Sequence, residues 1–188
     1  MEPIPQERPP YTRNIFHLDD GREIRFVDPR KLGLIWLVEN RSAVLSDLGP
    51  EPHDPAFTVQ TLAHSISDRN LPIKALLCEQ MVIAGIGNIY ADEILFQAGV
   101  HPLKHPAALS ILEMQDLHQA IVGVLSKATE KLTPLKLVGT PHTESQDDIP
   151  LLLVPRTQGH PCARCGTSIQ RLLVRGRGTY LCPKCQPD

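Results

Sequence analysis

Apolar and polar positions alternate near the N-terminus and change to helical spacing further along. In "NIFHLDDGREIRFVDPRKLGLIWLVE" two β-rich runs, Asn14–Leu18 and Glu23–Val27, flank Asp19-Asp20-Gly21, a hairpin turn signal. A third run, Leu34–Glu39, follows Gly33 and reads as a strand. Three strands neither close a sheet nor cover both its faces, so this part reads as the end of a larger β domain. From Asp54 the spacing is helical: Asp54-Pro55 supplies an N-cap and a proline at the first helical position, and Phe57, Leu62 and Ile66 follow. A second short helix is expected near Leu71-Pro72. After the turn Ala84-Gly85-Ile86-Gly87, a third runs from Asn88 to about Ala98 and is stopped by Gly99 and Pro102. A capping box, Ser110 to Glu113, opens a fourth that reaches about Lys131, with Leu117, Ile121, Leu125 and Ala128 on one face. The sum is an α+β chain.

Composition narrows the class. With 188 residues, 41% hydrophobic and 21% charged, the chain suits one or two globular domains. Its longest apolar runs, Leu32–Val38 and Ile149–Val154, are strand-length, far below the ~20 residues that span a bilayer. The opening MEPIPQERPP lacks a secretory pattern, so a cytoplasmic setting is expected. The net charge of −2 conceals a basic C-terminal part, where Arg156, Arg164, Arg171, Arg175, Arg177 and Lys184 face one acid, Asp188. That pattern fits an anionic partner met at one surface, or a solvated basic face. The acidic pair Asp92-Glu93 reads as a solvated face near a helix start, because adjacent helical residues point about 100° apart.

Four of five cysteines form Cys162-x2-Cys165-x16-Cys182-x2-Cys185. Each CxxC turn lets two thiolates reach one ion, and the hairpin between the pairs brings the turns together. One structural Zn2+ held by four thiolates is expected, its binding supplying much of that segment's folding free energy. Two disulfides or redox motifs are the alternatives. Between the pairs, "GTSIQRLLVRGRGTYL" places Arg175, Gly176, Arg177 and Gly178 near a hairpin tip, where arginine can approach a phosphate. The fifth, Cys78, reads as a buried core thiol. Gly85 and Gly87 before Asn88 leave helix-start N–H groups open to a phosphate, with Lys74 as countercharge; tight helix packing would use the same glycines.

Four segments, "DGREIRFVDPRKLG", "LGPEP", "IKALLCEQMVIAGIGNIYADEILFQAGVHP" and the finger ending "CPKCQ", together resemble the formamidopyrimidine-DNA glycosylase family, relatives of endonuclease VIII, over Tyr11 to Gln186. The resemblance implies a base-excision repair enzyme, a glycosylase and abasic-site lyase, that clamps damaged duplex DNA and flips the lesion, an oxidised or ring-opened purine, out of the stack. It divides the chain into a β-sandwich remnant over 1–53, a helix-two-turn-helix domain over 54–135, a linker over 136–155 and a zinc finger over 156–188. Lys74 and Asn88 resemble the family's phosphate-gripping pair. Arg177 resembles the finger arginine holding phosphates beside the lesion and is the one candidate for a catalytic role. Arg30 matches the arginine entering the duplex, and Arg69 stands where a basic DNA contact is common. Leu32 replaces the usual aromatic wedge and Tyr11 a common histidine.

The family's N-terminal proline nucleophile, its neighbouring glutamate and a β-hairpin lysine have no counterpart here. Pro3 is tied in an amide with Glu2 and cannot be an amine nucleophile. The expected protein is a piece of such a glycosylase, or else a non-catalytic zinc-dependent DNA-binding protein, or a zinc-ribbon module docking on RNA or protein. A nucleoid-associated monomer is expected unless the incomplete sheet drives dimerisation.

Overall fold

The first hairpin forms where alternation and turn chemistry place it. β1 (Thr12–His17) pairs antiparallel with β2 (Glu23–Val27), Ile15 opposite Arg25, with a bulge between Thr12 and Asn14. Gly21 takes the left-handed φ of 82° in the turn, and the Asp20 carboxylate accepts from both the backbone N and Nε of Arg22. A computed structural model of the chain describes residues 8–136 and 152–188. The start of the leader, the acidic patch Glu144–Asp148, most of the expected linker and the first half of the run Ile149–Val154 lie outside the described residues.

The run Leu34–Glu39 is not a strand. It has no regular structure, and Leu34, Ile35, Trp36, Leu37 and Val38 are all exposed. A strand needs a partner for its backbone N–H and C=O groups, and among the described residues β1 and β2 form a two-stranded sheet without it. A one-turn helix, α1 (Ser42–Leu45), follows. Met1–Ser46 and Asp47–Asp188 form two separate compact units.

The second unit is built on helices. Asp54 does not cap one: its carboxylate accepts from Ala56 N at 2.8 Å in a local turn, and α2 (Val59–Ile66) starts five residues later under Thr58, whose Oγ1 accepts from Thr61 N. α3 (Ile73–Leu77) follows Pro72. α4 (Asn88–Ala98) ends at Gly99, whose φ of 70° gives the left-handed cap expected of it. α5 (Ile111–Lys136) opens with the reciprocal Ser110–Glu113 box and continues past Lys131. Gly49 is held against the α3–α4 connection by its N–H to Gln80 O at 2.8 Å, and a Cβ there would lie 2.5 Å from the Val82 backbone.

α4 is the central element. Six consecutive residues, Ala91 to Phe96, are buried, which a one-faced surface helix does not show. Its neighbours Leu62, Ile66, Ile73, Leu77, Leu117 and Ile121 complete one core. A second, smaller core gathers Phe96, Val154, Ile169, Cys162 and Cys182 around the C-terminal hairpin, β3 (Gln170–Val174) and β4 (Arg177–Leu181). The fold is therefore mixed, helices with two small sheets. Asp92 and Glu93, each 2% exposed, lie inside the protein and not on a solvated face. Buried carboxylates need partners, and both have them.

Candidate metal centre and nucleic-acid interface

The four cysteine sulfurs lie within 4.8 Å of one another. Cys165 Sγ is 3.5 Å from Cys182 Sγ and from Cys185 Sγ, and Cys162 Sγ is 3.9 Å from Cys185 Sγ. A zinc ion 2.3 Å from four thiolates sets tetrahedral edges of about 3.8 Å, so the cluster has the right size and donor set. The turn backbones are prepared as well: Gly166 N donates to Cys162 O and Gln186 N to Cys182 O, each at 2.9 Å. One structural zinc fits the site, and all four positions are filled by protein.

The hairpin between the cysteine pairs turns through Arg175 and Gly176, both with positive φ, 48° and 77°. Two such residues make the tight turn that matches strand twist, and they place Arg177 as the first residue of β4. Arg177 is exposed, and its Nη1 donates to Cys78 O at 3.3 Å. A cleft of about 180 Å³ lies here, lined by Lys74, Cys78, Glu79, Arg175 and Arg177. Burial pushes the Cys78 thiol pKa up, so it stays a protonated core thiol.

Next to this hairpin is the start of α4. Its N-cap, Gly87, has no side-chain cap, which leaves the first N–H groups free of intrahelical partners. Gln80 braces the preceding turn, accepting from Gly85 N at 2.8 Å and donating to Ile86 O at 3.0 Å. Asn88 Nδ2 donates to Gly178 O at 3.1 Å, while its Oδ1 is buried without a hydrogen-bond partner among the described residues.

Lys74 corrects the sequence expectation. It is 1% exposed, and its Nζ lies 2.5 Å from Asp92 Oδ1 while donating to Thr179 Oγ1 at 2.7 Å and Gly178 O at 3.2 Å. Its charge is spent inside the protein, not offered at the surface. Desolvation lowers the Lys74 pKa and raises that of Asp92, each effect opposed by the attraction between the two. Arg156 completes the group: Nη1 donates to Asp92 Oδ2 at 3.0 Å, and the guanidinium stacks 4.9 Å above the Tyr180 ring. Glu93 accepts from Leu153 N and Val154 N at 3.0 and 3.1 Å, and burial raises its pKa.

The structure thus brings Lys74, Asn88 and Arg177 to one junction. Arg69 is exposed after α2, its Nε donating to Ser65 O at 3.2 Å, and shares no hydrogen bond with that group among the described residues. Arg30 belongs to the other unit; it is exposed in a turn held by Asp28, which accepts from Arg30 N at 3.0 Å and Gly33 N at 2.6 Å. The Gly33 N–H, chiefly, keeps the Asp28 pKa below its ordinary value. Sequence reasoning missed Asp92, Arg156, Thr179 and Gln80. Of these Asp92 left a trace, four residues beyond Asn88 and so on the same helical face, and Arg156 appeared as one of the basic C-terminal residues without its buried partner.

The formamidopyrimidine-DNA glycosylase H2TH domain matches residues 48–136, and the zinc finger found in FPG and IleRS matches residues 159–187. A formamidopyrimidine-DNA glycosylase of Symbiobacterium thermophilum is 42% identical over 185 residues, 96% of this chain and 61% of that protein. One from Exiguobacterium sibiricum is 40% identical over 192 residues, 98% of this chain and 69% of that protein. The chain therefore spans about two thirds of the length of such relatives. Among solved structures, the MutM (FPG) protein of Thermus thermophilus superposes with a TM-score of 0.78 at 35% identity, covering 97% of this chain and 71% of that one. A Lactococcus lactis FPG mutant in complex with Fapy-dG containing DNA gives 0.81 at 29% identity, covering 98% and 69%. Two matched domains and relatives of this similarity place the chain in the formamidopyrimidine-DNA glycosylase family.

Proposed function

We propose that this chain is the part of a base-excision repair glycosylase that grips damaged double-stranded DNA. The carrying observation is the junction where a zinc-held hairpin sets Arg177 one residue from the carbonyl that Asn88 holds, at the open start of α4. An anion there meets backbone N–H groups, the positive end of a helix and a guanidinium with a fixed base. The Lactococcus lactis FPG mutant was solved in complex with Fapy-dG containing DNA, which supports damaged DNA as the ligand.

In this reading residues 54–135 act as a helix-two-turn-helix domain, 156–188 as the zinc finger, 136–155 as the linker and 1–53 as part of a β-sandwich carrying Arg30 toward the duplex. Arg177 and Asn88 hold phosphate, Arg69 adds a peripheral contact, and Lys74 works from inside by holding the hairpin. The protein acts as a monomer, in the cytoplasm at the nucleoid. Among the described residues no helix is long and apolar enough to cross a membrane.

Two measurements on the zinc-loaded chain test this. Affinity for a duplex with one abasic site should fall steeply with salt, as phosphate contacts require, and exceed that for single-stranded RNA. Salt-independent or RNA-preferring binding overturns the reading. Borohydride reduction of the same complex should trap no covalent adduct, because none of the matched residues supplies the family's proline nucleophile; a trapped adduct would show that the chemistry resides here too.

A further inference from the structure

We infer that Asp92 is a positioning residue for Arg177, acting through Lys74 and the backbone of β4. The inference rests on the duplex-gripping role of Arg177 proposed above. Asn88 and Asp92 are four residues apart on α4 and share the face against which β4 packs. From that face, together with Lys74 of α3, three consecutive residues of β4 are held. Gly178 O accepts from Asn88 Nδ2 and Lys74 Nζ, Thr179 Oγ1 accepts from Lys74 Nζ, and Tyr180 N donates to Asp92 Oδ2 at 3.3 Å. Arg177 is the next residue toward the tip, so its backbone position is fixed relative to the start of α4 by this set of bonds.

Asp92 is the residue on which the set depends. It is 2% exposed and receives Lys74 on one oxygen and Arg156 on the other. Without its charge Lys74 would be a buried cation with two neutral acceptors, and Arg156 would lose its carboxylate while keeping only the Tyr180 ring. The lysine would then leave Thr179 for water, and the hairpin tip would move relative to Asn88. Asp92 therefore touches no DNA; it determines where the guanidinium that does so is placed.

The test is a double-mutant cycle on the zinc-loaded chain, reading dissociation constants for a duplex with one abasic site. Arg177→Ala should weaken binding about tenfold, the size expected for one charge-assisted hydrogen bond. Asp92→Asn should cost a similar factor in the parent and nothing further in the Arg177→Ala background. Equal losses in both backgrounds would mean that Asp92 supports the fold in general, and would overturn the inference. An Arg177→Ala variant that binds as tightly as the parent would instead overturn the gripping role itself. Should Asp92→Asn fail to retain zinc, Thr179→Val carries the cycle. It removes both the Lys74 Nζ–Thr179 Oγ1 bond and the Oγ1 donation to Arg177 O at 3.1 Å with little change of shape, and its loss must likewise vanish without Arg177.

Discussion

The chain contains two antiparallel hairpins of nearly equal length, β1–β2 and β3–β4, with very different circumstances. β3–β4 lies between two CxxC turns, shares the core of Phe96, Val154 and Ile169, and is bonded through Gly178, Thr179 and Tyr180. β1–β2 leaves Phe16, Ile24 and Val27 exposed, and the apolar run that follows it is unpaired among the described residues. Two strands alone are marginal in water, so pairing is not what separates them. The difference is that one hairpin has an ion site and a helix beneath it. Arg177 can act as a placed charge for that reason, whereas Arg30 sits in a turn whose anchor among the described residues is Asp28.

The strongest way to break the contrast is to remove the staple. Cys182→Ser, or a chelator, should unfold the finger, abolish duplex binding and leave the helical core intact. Structural zinc sites supply on the order of 10 kcal/mol, far more than a hairpin this size can replace. Circular dichroism that keeps its helical signal while gel-shift activity disappears is the expected result; retained DNA affinity would refute the finger's role. Next in size, Arg177→Ala should reduce affinity about tenfold and lower the slope of log affinity against log salt by about one, with zinc retained. An unchanged slope would remove Arg177 from the phosphate contacts.

A smaller change sharpens the comparison from the other side. A Cβ on Gly33 would overlap Phe26 Cζ, so Gly33→Ala forces the ring to move, at about 1 kcal/mol. In an unstapled hairpin that is enough to increase proteolytic cleavage within residues 8–46 while β3–β4 remains protected; equal protection of both would contradict the contrast. The least effect concerns α5. Lys104 and the Ser110 N–H hold the Glu113 pKa below its ordinary value near 4.5. Since the folded value is the lower one, the stabilisation is complete above about pH 4.5 and is lost as pH falls through the folded value. Glu113→Gln should cost about 0.5 kcal/mol at pH 7 and nothing at pH 2, by denaturant unfolding.

What could be read from the sequence was whatever a short window determines. The Ser110–Glu113 box, the Gly99 stop, the β1–β2 turn and the cysteine spacing each depend on residues a few positions apart, and the structure shows each where expected. The failures came from partners far along the chain. Asp92 and Glu93 resemble surface residues until Lys74, Arg156 and the Leu153–Val154 backbone reach them from 18 to 64 positions away. Lys74 resembles a free surface cation for the same reason. Leu34–Glu39 has the composition of a strand, but composition does not provide a neighbouring edge. Asp54-Pro55 was an error of another kind, a local turn signal that competes with a helix cap in the same residues.

Phe96 has a consequence for how the protein is made. Its ring belongs to the finger's core, and its carbonyl accepts from Arg164, whose guanidinium stacks 4.4 Å above that ring. Yet Phe96 is a residue of α4, and synthesis completes that helix more than sixty residues before Cys162 is added. During that interval the ring has no finger to cover it. The finger's core is therefore completed from outside its own segment: the four cysteines pack on a surface to which α4 contributes Phe96. A peptide of the finger alone would have all four ligands and lack the side chain against which they pack.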